Sequence, residues 1–326
     1  MVNYMSRMPL ISFIVPVYLD HDHLPDAIHS IVKYSGASFE IIVVDDGSPV
    51  PIEIKSNRVH LERLGVNKGA GKARNIGLLK AKGKFVAFLD SDDVLTPDIA
   101  QVLDRCHCDQ ENPDIFVSSL IGDKFLSEKF GELPKYVKFS DDFVLAKLRH
   151  FSANIYRRDF LIAKGIFFPE DTKYGEDTLF LINALASSSS LCLTPSEIYD
   201  YRRRANSLMG IGPSLEQQYF LIEEFPRRLY RLLSRFPLHA SVRLSMSFNY
   251  RVPQAARMVK NQLDCNVERV ISGLRFFGQI GLENDQSLRD AASVFWNDPK
   301  RKLMDMLAHE ADSEVIQKWL YEYQGN

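Results

Sequence analysis

Three carboxylates occupy four consecutive positions in Asp90-Ser91-Asp92-Asp93, immediately after the apolar run Phe85-Val86-Ala87-Phe88-Leu89. A run of this kind reads as a strand buried on both faces, which puts the acids at its carboxyl end. In open α/β sheets that end faces the ligand crevice. Carboxylates this close repel one another, and burial raises the cost of leaving them unpaired. A hard divalent cation, Mn²⁺ or Mg²⁺, relieves both problems, and with oxygen ligands it usually also holds a phosphate. Taken alone, the triplet also reads as a solvated turn capping the next helix, with Asp93 or Thr96 as N-cap and Pro97 at the first helical position. Its place after a core strand, and the residues upstream, favour the first reading.

Two further acidic groups share that character. The run Phe39–Val44 ends in Asp45-Asp46-Gly47-Ser48, and Gly175-Glu176-Asp177 opens a helical pattern with Leu179, Ile182 and Leu185 on one face. A carboxylate in the first turn of a helix is kept ionised by unsatisfied N–H groups and the helix dipole, which suits a general base. The bland readings are a strand-ending turn for the first group and ordinary charge complementarity for the second.

The elements that must position these acids follow from periodicity. Ile11–Val17 reads as the first strand, with Pro16 near its end because proline cannot donate to a central ladder. A helix over 24–34, the strand 39–44, a strand over 59–64, a helix over 70–81 carrying Arg74 and Asn75, and the strand preceding Asp90 complete a βαβ series. Right-handed crossovers place such strand ends on one edge, so Asp45, Asp46 and the 90–93 cluster are expected near one another. Beyond them the pattern predicts a helix over 97–106, strands at 115–118 and 154–157, a short helix to Lys164 with a turn at Gly165, and extended pieces at 191–194 and 198–201. Residues 119–150 give no clear pattern. The fold class is α/β: a Rossmann-like, mostly parallel sheet flanked by helices, followed by a mainly helical C-terminal region. A boundary in 205–213 divides the chain into 1–208 and 209–326.

Composition sets limits. A chain of 326 residues with net charge −2 has no basic field pointing to nucleic acid. It has no apolar run long enough to cross a bilayer, and the N-terminal stretch runs into a strand pattern rather than a secretory leader. Cysteines at 106, 108, 192 and 265 form no CxxC pair and read as free thiols in a reducing cytosol. His21-Asp22-His23 reads as a polar loop. Gly69-Ala70-Gly71-Lys72 fails the phosphate-loop pattern, with Val at 66 and Ala at 73, and Arg74 stands where a dinucleotide fingerprint needs its third glycine. Arg227, Arg228, Arg231 and Arg235 alternate with Phe225, Leu229, Leu232 and Leu233 on a helical pattern over 214–236. Such a helix lies on an anionic membrane surface, packs on its own domain, or meets a second subunit in a homodimer.

The chain resembles a family 2 glycosyltransferase of the GT-A fold. The resemblance is carried by Ile14-Val15-Pro16-Val17-Tyr18, Val43-Val44-Asp45-Asp46-Gly47-Ser48, Asn67-Lys68-Gly69 with Ala73-Arg74-Asn75-Ile76-Gly77, Phe88-Leu89-Asp90-Ser91-Asp92-Asp93 and Gly175-Glu176-Asp177, in the family's order over residues 10–205. It implies an inverting, metal-dependent transfer from a UDP-sugar to a hydroxyl of a glycan or lipid-linked glycan, in bacterial surface polysaccharide synthesis, in the cytoplasm or at the inner face of the plasma membrane. Pro16, Val17 and Tyr18 would line the base pocket, and Asp45 or Asp46 would accept from uracil. Arg74 would lie near the base or diphosphate. Asp90 would hold the ribose and Asp92 the metal, Asp90 being its second candidate ligand. Asp177 would be the base, supported by Glu176, and Lys68, Ser91 and Arg204 complete the implied donor contacts. Some members place a metal-binding His in the loop after 201, where this chain has none. The competing reading is a catalytically inactive nucleotide-sugar-binding module serving a partner enzyme.

Overall fold

The computed structural model describes residues 8–139 except 37, 55 and 57, residues 150–202 except 173, and residues 214–236, 252–260, 266–283, 303, 306, 307 and 311–323. Strands β1 (Ile11–Val17), β2 (Phe39–Asp45) and β4 (Phe85–Phe88) are buried at every position. They are mostly apolar, as expected of central strands with no solvent face, and the buried Ser12 of β1 and Glu40 of β2 satisfy each other through a hydrogen bond from Ser12 Oγ to Glu40 Oε1. β3 (Val59–Arg63) lies at the end of the sheet, and its polar His60 and Glu62 fit an edge. These four pair in parallel in the order β3-β2-β1-β4. The helix α1 (Leu24–Tyr34) connects β1 to β2, and α2 (Ala70–Lys80) connects β3 to β4.

The remaining strands make the sheet mixed. β5 (Val94–Leu95), β6 (Ile115–Leu120), β7 (Lys135–Val137), β8 (Asn154–Arg157) and β9 (Leu191–Asp200) extend it as β4-β8-β6-β9-β5, with β7 also on β9. β8 runs antiparallel to both β4 and β6, while β6 and β9 are parallel. Six of the nine strands therefore run one way, and β5, β7 and β8 run against them. The two extended pieces expected at 191–194 and 198–201 are one strand, its register against β6 shifted between Val117 and Ser119 and again before Leu120. The helix expected from Pro97 begins at Ile99 as α3 (Ile99–Cys108), because Val94 and Leu95 are drawn into pairing with β9. The segment without a clear pattern holds the end of β6, α4 (Phe125–Phe130) and β7; residues 140–149 lie outside the described residues. α5 (Arg158–Ala163) follows β8, and α6 (Glu176–Ser187) precedes β9.

Proline at 16 is tolerated for a readable reason. Ile14 O accepts from Leu89 N on the β4 side, whereas Val17 O accepts from Asp46 N on the β2 side. Pro16 shares the parity of Ile14 and lies past the last β1–β4 partner, Ile14 with Phe88. Its missing N–H thus falls beyond the pairing.

The chain divides into two compact units, Met1–Arg203 and Arg204–Asn326. The second contains α7 (Leu215–Leu233), α8 (Val252–Lys260), α9 (Val267–Glu283) and α10 (Ser313–Glu322). A capping box at Ser214 and Gln217 starts α7. Phe225, Leu229 and Leu233, the apolar side of its arginine-bearing stretch, are buried, Arg228 pairs with Glu224, and the Arg227 guanidinium lies over the Phe276 ring. No helix among the described residues is long and apolar enough to cross a membrane. Cys106 and Cys192 are buried and Cys108 is exposed, all as free thiols; Cys265 lies outside the described residues.

One polar knot anchors the β6–β8 half of the sheet. Asp114 is buried and accepts from Ser189 N, from Ser189 Oγ and from Arg157 Nη2. Burial alone would push this carboxyl up, but the bonds from Ser189 and Arg157 outweigh it and hold the carboxyl below its usual range. A lowered folded-state pKa gives stability that is present above the unfolded value near 3.8 and lost as pH falls through the folded one. Asp114→Ala should therefore lower unfolding free energy by on the order of 3 kcal/mol at pH 7. In urea titrations that difference should shrink below about pH 4.

Candidate active site

The β1–β2–β4 register brings two acidic strand ends to the flanks of β1. Val17 is opposite Asp45, and Ile14 is opposite Phe88, two residues before Asp90. Pro16 and Val17 are buried at the end of β1, and Tyr18 beyond them is 42% exposed. Leu19 has φ +58 and donates its N–H to Ser48 Oγ, which ties the loop after β1 to the loop after β2.

The two aspartates after β2 are committed differently. Asp46 accepts from Lys68 N through Oδ1 and from Gly69 N through Oδ2, both at 2.8 Å. It thereby holds the start of α2 against β2. Burial raises its pKa, an effect that these two bonds and Lys68 only partly oppose. The Lys68 side chain is exposed. Asp45 is fully buried. Its Oδ1 accepts from Ser48 N, and its Oδ2 makes no hydrogen bond among the described residues, although Arg63 Nη1 is 3.6 Å away. Just after them the chain turns so tightly at Gly47, φ +75, that a Cβ there would lie 2.5 Å from the carbonyl carbon of Val66.

Arg74 joins the remaining acids. It is 5% exposed, inside α2 rather than on its surface. Its Nη2 donates to Asp90 Oδ1 at 2.7 Å, and its Nη1 is 3.6 Å from Glu176 Oε1. The guanidinium lies over the rings of Phe151 and Phe168, 4.7 and 5.3 Å from their centroids. Burial disfavours its charge, but Asp90, Glu176 and Asp177 outweigh that and raise its pKa further. Glu176 is pushed up by burial and by neighbouring Asp177, with Arg74 opposing. The acids of the β4 end and of the α6 start, far apart along the chain, thus share one buried cation.

Local chemistry sets each of these ends. Gly175, φ +74, turns the chain into α6, so that Glu176 and Asp177 fall in its first turn. Asp177 Oδ1 accepts from Thr178 N at 2.6 Å and from Thr178 Oγ1 at 3.3 Å. At the β4 end, Asp93 is buried and accepts from Tyr199 Oη at 2.7 Å and from Arg202 N at 2.9 Å, while Tyr199 Oη accepts from Asp90 N. Burial pushes Asp93 up to about 7. Ser91 Oγ donates to Asp20 Oδ2, and His23 Nδ1 is 2.5 Å from Asp20 Oδ1, which links the acidic turn to the start of α1.

Asp90 and Asp92 are the acids of this turn that keep partial exposure, whereas Asp93 is buried. Two hard carboxylates of this kind suit Mn²⁺ or Mg²⁺, which bind through one or two carboxylates and complete their shell with substrate phosphate and water. Among the described residues no group of three or more His, Cys, Asp and Glu side chains is arranged to hold a metal. Arg204 lies outside the described residues.

The sequence pattern gave no role to Asn75, Phe151, Phe168, Glu170, Tyr199 or Asp20. A signal for the first was present. Gly71 stands one turn before Asn75 on the same helix face, and a glycine inside a helical pattern marks a face that approaches another part of the chain closely. A Cβ at Gly71 would come within 3.3 Å of Phe168 Cβ, while on another face one at Gly77 would lie 2.4 Å from Ile14 Cγ2.

Residues 12–161 match the family model described as glycosyl transferase family 2. The succinoglycan biosynthesis protein ExoO of Rhizobium meliloti (strain 1021) is 31% identical over 223 residues, 63% of this chain and 64% of that protein. The poly(ribitol-phosphate) β-N-acetylglucosaminyltransferase TarS of Staphylococcus aureus (strain MW2) is 29% identical over 227 residues, 66% of this chain and 38% of that protein. The match thus spans under two thirds of either relative. Among solved structures, S. aureus TarS 1–349 in complex with UDP-GlcNAc superposes with TM-score 0.74 at 20% identity, covering 96% of this chain and 91% of that one. That likeness gives the fold, a GT-A sheet with a helical C-terminal region. The strand ends at Asp45 and Asp90 and the buried Arg74 all fall within the segment that matches the glycosyl transferase family 2 model.

Proposed function

We propose that the chain transfers a sugar, with inversion, from a UDP-sugar to an acceptor hydroxyl. The observation that carries this reading is Arg74, which pairs with Asp90 after β4 and with Glu176 at the start of α6, and so brings donor-side and base-side carboxylates into one pocket. Asp45 Oδ2, buried and without a hydrogen bond among the described residues, is the acceptor we assign to a uracil N–H. Pro16, Val17 and the exposed Tyr18 line the same end of the sheet. Relatives named for succinoglycan and poly(ribitol-phosphate) synthesis support a bacterial surface polymer as the product class.

The acceptor oxygen attacks the anomeric carbon on the face opposite the diphosphate. The bond from that carbon to the diphosphate oxygen breaks, and its electron pair leaves with the oxygen. The acceptor proton passes to Asp177, whose Oδ1 is fixed by Thr178 and whose Oδ2 takes the proton. The hydroxyl becomes acidic only as it attacks, so one carboxylate within hydrogen-bond reach suffices. Glu176, paired with Arg74, supports it. Asp90 and Asp92 would hold Mn²⁺ or Mg²⁺ on the donor diphosphate, where the cation supplies counter-charge to the leaving group. Lys68 and Ser91 complete the proposed donor contacts. A lipid-linked acceptor would place the enzyme at the cytoplasmic face of a membrane, with the arginines of α7 as the candidate peripheral contact.

Asp177→Asn should reduce transfer by at least 10³-fold while UDP binding, measured by calorimetry, changes by less than about threefold. Near-parental turnover in that variant would place the base elsewhere. Asp92→Asn should raise the Mn²⁺ concentration for half-maximal activity by about tenfold or more, and parental activity that survives exhaustive chelation would contradict the metal assignment. An inactive donor-binding module predicts instead no UDP release from any UDP-sugar with Mn²⁺ present.

A further inference from the structure

Asn75 is 3% exposed in the middle of α2, and its carboxamide is spent entirely on another part of the chain. Oδ1 accepts from Phe168 N at 2.8 Å. Nδ2 donates to Phe168 O at 2.9 Å and to Glu170 Oε1 at 3.0 Å. A side-chain amide that meets both the N–H and the C=O of one residue does for that residue what a neighbouring strand would do. Among the described residues the segment between α5 and α6 has no helix or strand of its own, so this pairing substitutes for a ladder. Lys72, one turn earlier, adds an ion pair to both oxygens of Glu170 at 2.9 and 2.8 Å.

Phe168 in turn connects α2 to α6. Its ring stacks on Phe180 of α6, with centroids 4.0 Å apart, and lies against the Arg74 guanidinium. At Gly71 a Cβ would come within 3.3 Å of both Phe168 Cβ and Glu176 Cγ, so α2 and the start of α6 approach as closely as a missing side chain allows.

We propose that Asn75 is a positioning residue for transfer: by pairing with both backbone groups of Phe168 it sets where α6 presents Asp177 relative to the Asp90 turn. The proposal rests on Asp177 being the base. Asn75 touches neither donor nor acceptor, and its loss acts through the segment it holds. A displacement of about 1 Å between reacting groups can cost on the order of 100-fold in rate.

The test uses the full chain with Mn²⁺ and the UDP-sugar that the parent hydrolyses fastest in a panel, read as released UDP. Asn75→Ala should lower kcat about 30- to 100-fold while the KM for the donor and the Kd for UDP change less than about threefold. Amide hydrogen exchange in the same variant should rise more than about tenfold in 166–172 and 176–181, with the β1 and β2 amides unchanged. Glu170→Ala loosens the same clamp from its exposed side and should shift both readouts in the same direction by about three- to fivefold, which keeps the test available if Asn75→Ala does not fold. Parental kcat, a parallel loss of UDP affinity, or parental exchange in 166–181 would overturn the proposal. Asp177→Asn run alongside separates the failures: if it releases UDP at the parental rate, the base assignment fails, while the exchange result still reports on Asn75.

Discussion

A guanidinium that is 95% removed from solvent must be neutralised or its burial is prohibitive. Arg74 meets that requirement with carboxylates from two remote parts of the chain, Asp90 and Glu176, and with the faces of Phe151 and Phe168. Each close pair is worth on the order of 4 kcal/mol at an effective dielectric of 20, before desolvation. The desolvation cost is of similar size, so the network adds little net stability but strongly disfavours any arrangement that leaves one member alone. Arginine suits the position better than lysine, because its planar fork reaches two acids at once and stacks on rings. The turn after β4 and the first turn of α6 are therefore one electrostatic unit.

The sheet supplies the rest. Parallel pairing of β2, β1 and β4 aligns the ends that carry Asp45, Asp46 and Asp90, and α2 packs across β1 with Gly77 so close to Ile14 that a Cβ there would lie 2.4 Å from Ile14 Cγ2. Asp46 fixes where α2 begins, Arg74 and Asn75 fix what α2 holds, and Gly71 lets α6 approach. One short helix thereby ties together the turn after β2, the turn after β4 and the start of α6. Tyr199 and Asp93 join the acidic turn to the end of β9 through a hydroxyl that accepts from Asp90 N and donates to Asp93.

Much of this was legible in the residues. The strands at 11–17, 39–45, 59–63 and 154–157 and helices α1, α2, α5 and α6 follow from period and burial within a residue or two. The convergence of the Asp45–Asp46 and Asp90–Asp93 ends follows from crossover handedness. The parts that were not legible depend on long-range pairing. β8 enters between β4 and β6 against their direction, and β5 is too short to show a period. Helical spacing alone would put Arg74 on a surface, because a charge on an amphipathic pattern is ordinarily solvated; its burial depends on Glu176 and Phe168, which no local window contains. Asn75 was hidden for the same reason, since its partner is 93 residues away.

Arg74 and Glu176 interact strongly enough to hold the first turn of α6 to the turn after β4. A double-mutant cycle in urea unfolding, with Arg74→Met, Glu176→Gln and the pair, measures that coupling directly. The expected result is a favourable interaction of about 1–3 kcal/mol, with the double variant less destabilised than the sum of the singles. Additivity to within about 0.3 kcal/mol would contradict it.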